Sequence, residues 1–146
     1  MTEMLSFADS LETSARPRAV WKVLHDPGRF PEWWAGLASI ADVTAEGGDE
    51  GRFTAFLDRS LFQDMDPDRP MVHSLRSSRE EDRVVVSCLV ADIEYDWRLS
   101  ALPDGAGTRI EVAVAMPERR AFRFELIRAI IGASIRRLAA LAEAAG

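Results

Sequence analysis

A chain of 146 residues can form one domain with a sizeable core, and 47% apolar with 29% charged residues is ordinary for a soluble globular protein. Its 24 acids and 18 bases leave a net charge of -6, which argues against binding nucleic-acid backbones. One cysteine, Cys88, and two histidines, His25 and His73, exclude an intramolecular disulfide, a cysteine zinc site and a multi-histidine metal site.

The start lacks the pattern of a secretory signal, and the chain has no apolar run long enough to span a membrane. A cytoplasmic monomer or small homo-oligomer, such as a homodimer, is expected. Every base except Lys22 is arginine, which reads as coding bias in a GC-rich bacterial genome.

In chain order, Met4–Thr13 alternates Leu5, Phe7 and Leu11 with polar or small residues, the period of a half-buried strand. Asp9 falls on the apolar side of that alternation. Ser14-Ala-Arg-Pro17 then opens a short helix, with Ser14 as a candidate cap and Pro17 in its first turn. Val20, Trp21 and Leu24 form its inner face, and Asp26-Pro27-Gly28 ends it. A second short helix is expected around Phe30–Trp34. It persists only if its two tryptophans are packed.

Strands follow at Leu37–Ala45 and Arg52–Leu57, joined by a turn over Glu46–Gly51. Asp58–Pro70 is the least regular segment, with four aspartates, two prolines and three large apolar residues; loops of this kind are often functional, for instance as lids. Further strands are expected at Val72–Arg79, Arg83–Val90, Asp92–Leu102 and Thr108–Met116. Turns at Glu80–Asp82 and Pro103–Gly107 separate them. Glu118–Ala145 closes the chain as a helix whose stripe is Phe124, Ile127, Ile131, Ile135, Leu138 and Leu141. At 1.5 Å per residue this helix is roughly 40 Å long, enough to cross the whole sheet.

This order predicts an α+β fold in which seven antiparallel strands curl around one long C-terminal helix. A straight helix against a curled sheet leaves a gap, and an apolar gap is a ligand cavity.

Four stretches also carry a family resemblance: Ala15-Arg-Pro-Arg-Ala-Val-Trp21, Asp26-Pro-Gly-Arg-Phe-Pro-Glu-Trp33, the Trp97 strand running on to Gly107-Thr108-Arg109, and the terminal helix. Together they resemble the START-like (SRPBCC) helix-grip superfamily, which includes birch-pollen-type allergens and polyketide cyclase/dehydrase domains. The resemblance spans nearly the whole chain and implies a single helix-grip domain over residues 1–146. In aromatic polyketide cyclases of this superfamily it aligns Phe30 with an aromatic of the second short helix. Arg76 corresponds to an arginine on the fourth strand, and Trp97 to a tryptophan on the sixth. A tyrosine often used by those cyclases is replaced here, at Leu37.

Candidate chemistry follows from both readings. Arg76 offers a permanent charge and five donors, suited to an enolate or carboxylate. Two registers are open for its strand: either Arg76 faces the interior, or Leu75 does and His73 becomes the interior polar group. Tyr95 offers a phenol as proton donor, and Asp9 a carboxyl whose burial would make it a base. Phe30, Trp33, Trp34, Leu37, Phe53, Ile93, Trp97, Val112, Phe124, Ile127 and Ile131 are the expected ligand wall. Because Trp33 and Trp34 are adjacent, they diverge by about 100° on a helix and only one can face the cavity fully. Arg119, Arg120 and Arg123 oppose the dipole of the terminal helix and need partners: Glu118, the acids of Asp58–Asp68, or an anionic ligand group at the cavity mouth. Gly132 implies either a closely approaching strand or space left for ligand. Cys88 reads as a small buried hydrophobe.

The expected ligand is a small, largely apolar molecule, aromatic or polyketide-like, without metal or redox cofactor. Cyclisation, dehydration or isomerisation is the expected chemistry. A non-catalytic lipid or quinone carrier and an antitoxin-type interaction protein stay open.

Overall fold

The structure, a computed structural model, describes residues 4–45, 50–63 and 69–145. Most of the turn expected over Glu46–Gly51, at residues 46–49, and residues 64–68 of the Asp58–Pro70 segment lie outside the described residues. The strands are β1 (Met4–Thr13), β2 (Leu37–Ala45), β3 (Glu50–Leu57), β4 (Met71–Ser78), β5 (Arg83–Cys88), β6 (Ile93–Ala101) and β7 (Thr108–Pro117). The helices are α1 (Pro17–Leu24), α2 (Phe30–Trp33) and α3 (Phe124–Ala145).

The strands form one antiparallel sheet in the order β1-β7-β6-β5-β4-β3-β2. Alternation sets its two faces. Phe53, His73, Leu75, Val86, Cys88, Ile93, Tyr95, Trp97, Ile110, Val112 and Val114 are buried on the helix side. The outer face is polar and cross-linked by Arg83–Asp96 and Arg109–Glu12 ion pairs at 2.9 and 2.8 Å. Aspartates take the left-handed turn positions at Asp82, Asp92 and Asp104, where a short polar side chain tolerates positive φ.

The long α-helix starts later than its sequence pattern indicates, because Glu118–Arg123 forms a tighter 3-10 turn. Three arginines at the positive end of a helix disfavour a regular first turn. In the tighter turn Arg119 bonds Asp92, and Arg123 lies over the rings of Phe62 and Phe122. Along α3, Ile127, Ile130, Ile131, Ile135 and Leu138 are buried, with Phe124 and Leu141 half-buried beside them.

Polar contacts fix the elements in place. The buried Ser134 hydroxyl accepts from the Ala35 backbone N–H at 2.9 Å and donates to the Ile130 carbonyl at 2.7 Å, tying the end of α2 to α3. At the far end of α3, the Thr13 hydroxyl donates to Glu143 at 2.6 Å. Ser14 does not cap α1. Arg16 takes the cap position without a side-chain bond, and Pro17 supplies the preset φ at the helix start. Gly132 faces β1: a Cβ there would meet Asp9 Oδ2 at 3.6 Å, an ordinary contact.

Gly107 is where the backbone itself permits nothing else. Its φ is +141°, and a Cβ would sit 1.9 Å from the Thr13 carbonyl oxygen. Gly105, at φ +70°, has open space around it. Gly107→Ala should therefore cost more than about 3 kcal/mol or prevent folding, whereas Gly105→Ala should cost only about 1–2 kcal/mol of left-handed strain. Urea unfolding of both variants checks this; equal losses would contradict the close approach at Gly107.

Candidate functional site

Between the sheet and α3 the interior is divided. One part is solid. Phe30, Trp33 and Trp97 are fully buried, and Trp33 meets Trp97 edge-on at 5.2 Å between ring centres, with Phe30 edge-on to Phe53 at 5.4 Å. Edge-to-face contacts of this kind add about 0.5–1.5 kcal/mol each beyond area burial. They fill the space where the curl of the sheet is expected to leave a cavity.

The other part is hollow. A cavity of about 100 Å³ lies between β3–β6, the segment after α2 and the start of α3. Its wall includes Trp34, Leu37, Phe53, His73, Ile93, Tyr95 and Ile127. Six further apolar positions, Leu57, Phe62, Met71, Val86, Val90 and Ile130, complete most of it, with Cys88 and Ala91 between them. Arg69, Arg120 and Arg123 stand on the wall as well, and no carboxylate does among the described residues. Trp34 faces the cavity and its neighbour Trp33 the core, the divergence that adjacent helical positions impose.

Several positions expected in the site are elsewhere. Arg76 is exposed on the outer face. The register of β4 buries Met71, His73 and Leu75 and turns Val72 and Arg76 to solvent, since one strand cannot bury both parities. Two apolar side chains gained on the inner face outweigh one histidine whose burial cost is partly met. Asp9 is half-buried on the helix side of edge strand β1, near Gly132, and is not part of the cavity wall. Phe30, Trp33, Trp97, Val112 and Ile131 are core residues. Phe124 packs edge-on against Phe7 at 5.5 Å instead of facing the cavity.

His73 sits on the inner face with its ring stacked on Phe53, 5.0 Å between centres and 11° from parallel. Its Nδ1 lies 2.8 Å from the Met71 carbonyl. A carbonyl only accepts, so Nδ1 carries the proton and Nε2 is left as the basic nitrogen. Burial lowers the pKa of His73, and the Met71 bond offsets only part of that. Burial likewise raises the Tyr95 phenol, with the neighbouring Cys88 adding to the effect, and raises the Cys88 thiol. At neutral pH all three groups are therefore uncharged: a base, a hydroxyl donor and a thiol.

Strand pairing explains their grouping. His73 is opposite Cys88, Cys88 opposite Ile93, and Val86 opposite both Leu75 and Tyr95. Ile93 is therefore two strand spacings straight across from His73, and Tyr95 lies two residues along from Ile93, so His73 and Tyr95 are about 12 Å apart at the backbone, on strands that both pair with β5. Their side chains project into the same cavity. Sequence reading missed Cys88 as a wall residue, although its parity with Val86 and Val84 on one strand carried the signal.

A search of curated proteins finds no match for the chain. Solved structures do resemble it. The Zhui aromatase/cyclase from Streptomyces superposes with a TM-score of 0.74 at 12% identity, covering 97% of this chain and 94% of that one. The di-domain aromatase/cyclase StfQ of the steffimycin biosynthetic pathway gives 0.74 at 12% identity over 96% of this chain, which spans 51% of StfQ. A Thermus thermophilus protein gives 0.70 at 16% identity, covering 97% of this chain and 99% of that one. At these identities the likeness is one of fold. A family model described as polyketide cyclase/dehydrase and lipid transport matches residues 4–146. The chain belongs to that family.

Proposed function

We propose that residues 1–146 act as one helix-grip unit that binds a small aromatic or polyketide-like ketone in the cavity and enolises it, as the first step of cyclisation or dehydration. The observation that carries this reading is that His73 on β4 and Tyr95 on β6, with β5 between them, both project from the inner face into one largely apolar pocket. His73 Nε2 would take the proton α to a carbonyl. The Tyr95 phenol, whose raised pKa keeps it protonated, would donate to the developing enolate oxygen. The enolate carbon can then attack a second carbonyl, and imidazolium returns its proton to the new alkoxide. Arg76 has no part in this scheme.

Cavity size sets the substrate scale. About 100 Å³ is below the roughly 300–1,000 Å³ of drug-sized ligand sites, but near the scale of an engineered cavity of about 150 Å³ that holds benzene. The ligand is accordingly one aromatic ring with short substituents. A passive container for the same ligand would have no use for two titratable groups projecting into the same cavity.

Phenylacetone is a suitable probe. In D2O the protein should accelerate deuterium uptake α to the carbonyl, followed by NMR. His73→Gln should abolish the acceleration, and Tyr95→Phe should reduce it about 10²-fold, while both still bind the ketone. Saturable binding without any acceleration in the wild type would instead favour the carrier reading.

Filling the cavity tests the binding half. Ala91→Phe, on the wall, should weaken phenylacetone binding at least tenfold by titration of tryptophan fluorescence, since Trp34 is in the wall. Unchanged affinity in a folded variant would move the site elsewhere.

The buried His73 also predicts a pH dependence of stability. Its folded pKa is below the unfolded value of about 6.5, so the unfolded chain binds more protons in that window. The contribution is whole above about pH 6.5 and is lost as pH falls from there through the folded pKa. His73→Phe should flatten the urea midpoint between about pH 6.5 and 5 relative to wild type.

A further inference from the structure

The cavity mouth carries a charge that the enolisation scheme does not use. Arg120 is on the 3-10 turn before α3 and lines the wall next to Cys88, whose thiol feels its charge. The Nε–H of Arg120 is fully buried and has no hydrogen-bond partner among the described residues. A guanidinium is charged at all working pH values, and a buried donor without an acceptor is unfavourable. The nearby carboxylate of Asp92 is already bonded to Arg119. Arg123, also on the wall, lies over the Phe62 ring at 5.2 Å, so the mouth is basic and aromatic together.

We propose that the ligand is an acid: a ring held among the apolar wall residues, with a carboxylate at the mouth accepting hydrogen bonds from Arg120. This rests on the cavity being the binding site and specifies its substrate class. The planar guanidinium fork matches a carboxylate in two-point geometry. The wall presents Arg120 to the anion and no competing acid among the described residues. Arg120 then acts in binding and orientation, placing the carbon chain between mouth and ring against His73 and Tyr95.

The test compares 3-phenylpropanoate with 3-phenylpropanamide, which share shape and differ in charge, by calorimetry and tryptophan fluorescence. Wild type should bind the acid about tenfold more tightly than the amide. Arg120→Met should bind both alike, and Arg120→Lys should keep part of the preference, since charge without the fork remains. Equal binding of acid and amide by wild type overturns the acid assignment while leaving the cavity reading intact. Absence of binding by both, and by phenylacetone, overturns the cavity reading itself. A 2-phenylethyl phosphate bound more tightly than the carboxylate overturns the choice of head group. Because the wild-type comparison needs no variant, a poorly folding Arg120→Met does not blunt it.

Discussion

The insertion of α2 between sheet and terminal helix is the contact on which the rest of the interior depends. Four residues of helix have too few internal hydrogen bonds to persist in water. They persist because Phe30 and Trp33 are fully buried against Trp97 and Phe53, and because Ser134 on α3 accepts the N–H that follows at Ala35. This wedge splits the interior. On one side it makes solid core; on the other, Trp34 and the residues after it become a cavity wall. The position of the site is thus decided by packing at α2, at some distance from the groups that would do chemistry.

Sheet order and parity were largely legible in the sequence, because a period of two leaves only two faces to choose between. β6 reads directly: Ile93, Tyr95 and Trp97 alternate with charged residues, and all three are buried. β4 was ambiguous, since His73 with Leu75 competes against Val72 with Arg76, and only the pairing of Leu75 with Val86 resolves it. The boundary between core and cavity was not legible at all. Trp97 and Val112 have the same inward parity as Tyr95 and Ile93, and nothing in their spacing says how deeply α2 reaches. The arginines before α3 were visible as an electrostatic oddity. Their separate fates, Arg119 on Asp92, Arg123 on Phe62 and Arg120 on the wall, depend on contacts between segments far apart in sequence.

The cavity wall has two kinds of support. His73, Cys88 and Tyr95 stand on paired strands, where backbone hydrogen bonds hold each Cβ in place. Trp34, Gly36, Phe62 and Arg69 stand on segments outside the sheet, and Arg120 and Arg123 on a 3-10 turn. A fold built this way can keep its floor while its mouth varies, which fits a family whose model is described by both cyclisation and lipid transport.

The sheet is open, so it has two edges, and they are not alike. β2 shifts register between Leu37 and Ser39 and again between Ala41 and Thr44, with Asp42 at φ +53°. Such bulges twist an edge away from straight pairing and blunt it against other strands. β1 pairs with β7 in unbroken register over ten residues and contains no proline. Its outward row of N–H and C=O groups is therefore the straighter template, and strand-to-strand association of this protein, in a crystal or an aggregate, is directed to β1 over β2.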